Sequence, residues 1–330
     1  MARYVNEQNR VALKLESGTY GNASGTAVWI GKVTSNAISE NFNIQEERFL
    51  GTSDRGVSVF EDTAKDFEGT LTYYPQNMRM LGYALGSATF TTGASNTWAY
   101  ATVNNDARQN AYTSGTLNPF ISFQIEDGKM TQGGSFVRTA QGCMVDTMTV
   151  SASQGDLVSA EVSYLAQNMT DSVSGPSSVT VNGSRTYMWK DIIVQIPAGT
   201  TLDSVTDMSL EVANNFERPH YLNGSSVIGI PIPLNRDVTL SITANLQTEN
   251  IALYNNYYKS GTSFNAVIDM NANPGALAAI GSMHSVITLS GCRIMSADIP
   301  SETEGVSTTS LEIKAGSVSV LEYNQEGDLY

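Results

Sequence analysis

Residues 66–87 read DFEGTLTYYPQNMRMLGYALGS, and this stretch contains the two patterns that decide the fold. Its first part, Phe67–Tyr73, alternates apolar or small residues with polar ones, which is typical of a strand with one buried and one solvent-facing side. Its second part starts with a proline, repeats apolar residues at helical spacing and is followed by Gly86. This combination predicts a helix over Pro75–Leu85 with a glycine stop.

The same alternation recurs along most of the chain. Further strands are predicted at 121–125, 158–164, 192–196, 208–212 and 238–242. Turn signals separate the strands at Asp127-Gly128, Asn182-Gly183 and Asn223-Gly224. Half-buried strands joined by turns are typical of antiparallel sheets, so the sequence predicts a mainly β protein built from sandwiches or barrels.

A second helix, predicted over Thr248–Lys259, also follows an alternating strand and ends before a glycine, which indicates an internal repeat. The segments around Leu50 and Leu222 resemble each other and lie 172 residues apart. Later, Gly142-Cys143 matches Gly291-Cys292 at a separation of 149 residues. The shorter separation indicates an insertion after the first helix, and the stretch 88–118 has the polar composition of an exposed insertion loop.

We therefore expect two tandem β domains, 27–174 and 175–330, each a sandwich or barrel with one flanking α-helix. A linker rich in Ser, Gly and Pro is expected between Asp171 and Asn182. The N-terminal arm, 1–26, is polar and lies outside both repeats. Such a segment lacks a core of its own, so we expect it to become ordered by binding neighbouring molecules.

The charge balance excludes several classes of protein. Lys and Arg number 18 against 32 Asp and Glu, which gives a net charge of −14, and no three basic residues are consecutive. A protein that grips nucleic acid phosphates has the opposite sign or a basic cluster. The sequence has no stretch of 18 apolar residues and no apolar segment near its start, so we expect neither a membrane span nor a secretory signal. Two cysteines do not make a disulfide scaffold and suit a reducing cytoplasm.

The residue patterns that enzymes and metal sites need are scarce. His220 and His284 could act as bases, but no Gly-x-Ser-x-Gly elbow accompanies them, and a structural role is expected for both. Asp269, Asn271 and Asn273 resemble the start of a calcium loop whose twelfth position lacks the required acid. No phosphate-binding or dinucleotide-binding glycine motif occurs. We therefore predict no catalytic, metal or cofactor site.

Four short motifs resemble the tail tube proteins of tailed viruses. They are LESGTYG at 15–21, DFEGTL at 66–71, YALGS at 83–87 and GCMVDTMTV at 142–150. The order of these elements is similar to that family over most of the chain, but in the second repeat Thr239 and Leu240 replace the Glu-Gly of the strand. The resemblance implies β-barrel or β-sandwich domains with a flanking helix, arranged in rings that stack into a hollow tube for the viral genome.

The resemblance also implies partners and a location. Single-domain members form hexamers, so a chain with two such domains is expected to form pseudo-sixfold rings as a homotrimer. Tape-measure and tail-tip or terminator proteins are implied as further partners, viral DNA passes transiently, and no membrane or cofactor is involved. The protein would be assembled in the host cytoplasm and reside in the virion tail. A lumen of carboxylates and neutral polar groups would let DNA slide, since adhesion to DNA depends on cationic contacts.

Two other functions stay open at this point. The 15 Tyr and 3 Trp residues could stack on sugars in a non-catalytic carbohydrate-binding or adhesin-like module, although tryptophan is sparse for that role. A glycosidase that uses a pair of carboxylates on a β scaffold is the third alternative, but the scattered acids do not identify such a pair.

Candidate contacts between subunits come from the arm and from two long turns, 49–63 and 221–236. The second turn carries apolar residues that an isolated loop leaves exposed, and exposed apolar patches usually mark an interface. The residues predicted to contact neighbouring subunits are Tyr20, Leu50, Arg55, Leu222, Ile228, Ile230 and Ile232.

Overall fold

A computed structural model of the protein describes residues 9–16, 20–21, 23–47, 59–86, 88–91, 97–101, 122–131, 134–179, 185–222, 224–272, 283–298 and 307–323. Within these residues the chain is mainly β, and large antiparallel sheets dominate it. The predicted fold class is therefore confirmed.

The largest sheet in the described part of the chain contains eight strands and is called the central sheet here. Neighbouring strands all pair antiparallel. In spatial order the strands are β3 (Gly31–Asn41), β6 (Asp66–Pro75), β11 (Ser159–Ala166), β10 (Gly134–Ser153), β14 (Val205–Ala213), β17 (Asp237–Asn245), β20 (Thr308–Lys314) and β19 (His284–Asp298).

Two side sheets branch from the central sheet, because β10 and β19 are long enough to pair in two sheets each. The first side sheet has the order β2 (Ala23–Val28), β1 (Arg10–Glu16), β9 (Phe123–Thr131), β10 and β12 (Asn168–Ser172). The second has the order β7 (Ala88–Thr91), β8 (Thr97–Ala101), β21 (Ser317–Tyr323), β19, β18 (Phe264–Asn271) and β13 (Ile192–Gln195).

Each long strand passes from one sheet to the other at a glycine. Gly142 in β10 has φ +63° and Gly291 in β19 has φ +65°, a left-handed backbone that favours glycine. The ladders shift register beside both glycines, and the residues that follow pair alike: Cys143 with Phe123, and Cys292 with Phe264. These irregularities are β-bulges, which bend a strand and increase its twist.

The core lies between the inner faces of these sheets. Phe67, Leu71 and Tyr73 of β6 are at most 4% exposed, as their alternation predicted. The fourth inner position, Gly69, lies under the ring of Tyr164, and a Cβ there would come within 2.3 Å of that ring. The Glu-Gly-Thr pattern of this strand therefore reflects a close approach of an aromatic side chain to the backbone.

Both predicted helices are present, and the first one begins later than predicted. Pro75 ends β6, paired with Gly31, and α1 spans Arg79–Leu85 with all seven residues buried. It ends at Gly86, whose N–H bonds the Gly82 carbonyl. Helix α2 (Thr248–Leu253) continues into a π-helical turn, Tyr254–Tyr258. A single 3₁₀ turn, Trp189–Asp191, precedes β13.

Two small hairpins project from the central sheet. They are β4 (Ile44–Glu47) with β5 (Val59–Asp62), between β3 and β6, and β15 (Phe216–Glu217) with β16 (Ile232–Pro233), between β14 and β17. In the part of the chain covered by the structure, no helix has the length and apolarity needed to span a membrane.

Two expectations are wrong. Asp127-Gly128 is not a turn, because both residues lie inside β9, paired with β1 on one side and β10 on the other. Part of the arm is ordered within its own chain, because β1 belongs to the first side sheet and its Leu13 is 2% exposed. The expectation that the arm becomes ordered only by binding neighbouring molecules is therefore wrong. Asn182-Gly183, Asn223 and most of the insertion 88–118 lie outside the described residues, although the described part of the insertion forms β7 and β8.

Candidate functional site

One face of the central sheet carries short polar side chains. On β17, Thr239, Ser241 and Thr243 alternate with the buried Val238, Leu240 and Ile242. The antiparallel register aligns these polar positions into rows that cross the sheet. One row contains Thr72, Glu161, Thr149, Glu211, Thr239 and Lys314. The next row contains Ser159, Ser151, Ser209, Ser241, Glu312 and Ser296.

This polar face is rich in exposed carboxylates. The exposed acidic residues on it are Glu68, Glu161, Asp207, Glu211, Asp237, Asp298 and Glu312. Lys314, Arg293 and Lys32 supply positive charges, of which Lys314 Nζ pairs with Asp237 Oδ1 at 3.2 Å and Arg293 donates to the Gly261 carbonyl. A shallow depression on the face is lined mainly by hydroxyls and carboxylates of β10, β14, β17, β19 and β20. Small-molecule sites are usually concave and mostly apolar, and this shallow polar depression differs from them in both respects.

Two strands of the central sheet have an open edge within the described structure. Strand β3 pairs only with β6, and Arg293–Asp298 of β19 pairs only with β20. Apolar side chains lie exposed beside these edges: Met295 is 54% exposed in β19, and Ile44 and Phe60 are 59% and 65% exposed in the hairpin that follows β3. Unpaired edges with exposed apolar residues are association surfaces unless they are blocked.

The junction of β10 with β14, in the middle of the same sheet, is sealed by buried polar contacts. Asn214, which follows β14, donates from Nδ2 to the carbonyls of Ala84 at 2.9 Å and Val145 at 2.8 Å. Arg236 donates to Asn214 Oδ1 at 2.7 Å, and burial lowers the pKa of Arg236 to about 10. The junction therefore joins the two halves of the chain through a continuous sheet and a desolvated network.

The LESGTYG motif fastens the bulge of β10. Glu16 accepts hydrogen bonds from the backbone N–H of Gly142 at 2.7 Å and of Gly21 at 2.9 Å. The Tyr20 hydroxyl donates to the Gly142 carbonyl at 2.7 Å. Burial raises the pKa of Tyr20, and the nearby Cys143 and Glu16 add to the shift. The acid and the tyrosine together hold both polar backbone groups of Gly142, which gives the motif a structural role.

The residues predicted to contact neighbouring subunits differ in their exposure to solvent. Tyr20 bonds within its own chain, and Ile228 is only 1% exposed, so the expectation that the second turn leaves Ile228 exposed is wrong. Ile230 and Ile232 are half-buried, and Leu222 is fully exposed. Leu50 and Arg55 lie outside the described residues. The sequence did not predict the open edges at β3 and β19, because an edge strand and a paired strand have the same alternation of apolar and polar residues.

Both histidines lie close to a carboxylate. His220 Nε2 lies 3.1 Å from Asp66 Oδ1, and His284, which is 4% exposed, lies 2.8 Å from Asp269 Oδ1. Both contacts hold neighbouring segments together. Within the described ranges no group of His, Cys, Asp and Glu side chains is placed to hold a metal ion.

Comparison with known proteins gives an independent result. A family model described as phage tail tube protein matches residues 7–315. A search of curated proteins finds no match. The matched region includes the first side sheet, the central sheet with its polar face and two open edges, and all of the second side sheet except β21. The chain therefore belongs to the phage tail tube protein family.

Proposed function

We propose that this chain forms rings of three copies that stack into the hollow tail tube through which viral DNA passes. Strands β3 and β19, which have the open edges, occupy the same positions in their halves of the chain as β14 and β10, which pair with each other in the middle of the sheet. This observation carries the proposal. Virion tail membership follows from the family, whereas the trimeric ring, the DNA path, assembly in the host cytoplasm and contacts with tape-measure and terminator proteins are parts of the proposal. So is a structural role without catalysis.

The first step is a duplication of the tube domain. The strand order β3-β6-β11-β10 in the first half has the same pattern as β14-β17-β20-β19 in the second. In the side sheets, β1-β9-β10-β12 matches β13-β18-β19-β21 in the same way. The matching bulges at Gly142 and Gly291 also support this view.

The turns that follow the first strand of each half have matching backbone angles and hydrogen bonds, which supports the duplication. Asn43 and Asn215 both have a left-handed backbone, with φ +41° and +49°. Asn43 donates from Nδ2 to the Ala64 carbonyl at 3.1 Å and to Asp66 at 2.9 Å. Asn215 donates to the Asn235 carbonyl at 2.8 Å and to Asp237 at 3.4 Å. A repeated network in a rare conformation is difficult to attribute to chance.

The duplication assigns a partner to each open edge. Within the chain β10 pairs with β14, and the counterparts of these strands are β19 and β3. We infer that β19 of one copy pairs antiparallel with β3 of the next. The register follows from the pairs Thr147–Ala213 and Thr149–Glu211, which correspond to Ser296–Asn41 and Asp298–Ser39. Three copies then supply six domains and close a pseudo-sixfold ring.

The polar face of the central sheet is proposed to line the lumen. The opposite face is buried in each domain core, so the polar face is the side of a closed sheet that is free to meet DNA. Its hydroxyls and carboxylates offer DNA phosphates few of the cationic contacts on which adhesion depends, and the net charge of −14 per chain adds repulsion. A conduit requires weak contact along its whole length.

A crosslinking experiment tests the ring. The variant Ser39→Cys/Asp298→Cys places thiols at the inferred cross-strand pair, and the matched control Asn41→Cys/Asp298→Cys moves one thiol two residues along the same face. The native Cys143 and Cys292 are buried, so they compete little. After mild oxidation we expect covalent dimers and trimers, with closure at three chains, from the first variant only. Equal crosslinking of both variants, or none in particles that assemble, would contradict the proposed register.

A further inference from the structure

Residues 218–222 and 224–231, called the strap here, leave the second hairpin and lie on the first half of the same chain. The Lys65 N–H donates to the Ser226 carbonyl at 2.7 Å, and Lys65 forms a parallel bridge with Val227. Ile228 of the strap is 1% exposed. The strap therefore extends from the second hairpin to the start of β6.

An ion pair and a hydrogen bond fix the strap at the same place. Arg218 forms an ion pair with Glu68, and His220 Nε2 lies 3.1 Å from Asp66 Oδ1. Glu68 and Asp66 belong to the first residues of β6, on its polar side. The strap thus covers the start of β6 with both a backbone pairing and opposite charges.

The corresponding surface in the second half is more open. Asp237, at the start of β17, is the counterpart of Asp66, and its side chain is 51% exposed whereas that of Asp66 is 21% exposed. The hydrogen bonds that the structure gives Asp237 come from Asn215 and Lys314, both in its own half. A cover equivalent to the strap is therefore missing at this position within the described residues.

The first hairpin has the opposite property, because apolar side chains in its described residues are exposed. Phe60 in β5 is 65% exposed, although its counterpart in the second hairpin, Pro231, is buried. Ile44 in β4 is 59% exposed, and its counterpart Phe216 is half-buried. Apolar side chains at these positions are covered where the hairpin meets a neighbouring domain and exposed where it does not.

We propose that the hairpin β4–β5 of one copy docks on the start of β17 in the neighbouring copy whose β19 pairs with its β3, as the strap docks on the start of β6 within its own chain. This inference rests on the proposed ring, and its occupant is a second copy of the chain. By the same correspondence Glu46 takes the place of Arg218, and Thr239 of that neighbouring copy takes the place of Glu68. The docking covers Phe60 and Ile44. It also attaches each copy to β17 of its neighbour, in addition to the pairing of β3 with β19.

A charge-swap experiment tests the docking. Thr239→Glu places a second carboxylate opposite Glu46, so we expect the critical concentration for assembly, measured by sedimentation, to rise at least about threefold. Adding Glu46→Arg recreates the Arg218–Glu68 arrangement between copies and should restore the critical concentration to within about twofold of the native value. The matched control Thr243→Glu adds the same charge to the same face of β17, away from the hairpin.

The outcomes separate this inference from the ring itself. Equal effects of Thr239→Glu and Thr243→Glu, or no rescue by Glu46→Arg, would overturn the docking. The Ser39→Cys/Asp298→Cys crosslink, introduced into the same variants, reports the ring edge independently of the hairpin. Circular dichroism of the unassembled variants shows whether each chain is folded before its assembly is compared.

Discussion

Replacing Gly142 with alanine should destabilise the chain more than the same change at Gly291, although the two backbones are nearly identical. Both glycines have a left-handed backbone, with φ +63° and +65°, which costs an L-residue about 1–2 kcal/mol at either site. The surroundings differ. A Cβ on Gly142 would lie 2.8 Å from Gln167 Cβ and 2.9 Å from Tyr20 Cζ, whereas the nearest atoms to a Cβ on Gly291 are 4.0 Å away.

The difference between the two variants follows from these contacts. Overpacking of this kind costs about 1–3 kcal/mol. Displacing Tyr20 also weakens its hydrogen bond to the Gly142 carbonyl, which is worth about 1 kcal/mol. We therefore expect Gly142→Ala to lose about 2 kcal/mol more free energy of unfolding than Gly291→Ala.

Urea denaturation of the unassembled protein, followed by far-ultraviolet circular dichroism, measures this difference. The two midpoints can be compared as free energies only if the slopes of the transitions agree. In a Tyr20→Ala background the extra cost of Gly142→Ala should decrease, because one of its two clashes is removed. Equal losses at the two glycines would refute the role assigned to Glu16 and Tyr20 as the clamp of this bulge.

Three further predictions concern the ion pair of Glu126, the N-terminal arm and the binding of DNA. Glu126 bonds Lys14 at 2.8 Å and the Ser177 N–H at 2.7 Å, and although burial alone raises its pKa, these bonds outweigh burial and lower it. Glu126→Gln should therefore cost about 2 kcal/mol at neutral pH, and in urea titrations the difference should be lost as pH falls below the usual range of a glutamate and through the lowered native pKa of Glu126. Deleting residues 2–20 should unfold the first half by circular dichroism because it removes β1, whereas deleting 2–8 should not. Assembled tubes at low salt should bind DNA no more tightly than about 10⁻⁶ M by filter binding, and tighter binding would contradict a lumen without adhesion.

The sequence predicted those features that depend on local pattern. Alternation located the strands, as β6 and β17 illustrate, because one face of each is buried and the other is not. Glycine stops located the ends of the helical segments at Gly86 and near Gly261. The matching of Gly142 with Gly291 was also readable, and both residues lie at bulges.

Features that depend on distant pairing were not predictable. Asp127-Gly128 has the composition of a turn, but partners on both sides keep it extended in β9. The start of α1 was misplaced because Pro75 still pairs with Gly31. Ile228 was expected to be exposed because its segment has no local core, yet the strap obtains one from the first half of the chain.

The candidate surfaces show the same limit. The polar side chains of Thr239 and Ser241 are evident in the sequence, but their alignment into rows depends on the register of neighbouring strands. The open edge of β3 is visible only when the partners of every described strand are known, because an edge strand and a central strand share the same alternation.

Electron cryo-microscopy of the assembled protein tests the central claim most directly. We predict a tube whose rings each contain three copies, with β19 of one copy paired to β3 of the next and Asp298 beside Ser39. Thr239, Ser241 and Glu312 should face the lumen. Rings of six copies, a gap in the sheet between copies, or a lumen lined by another face of the protein would contradict the account.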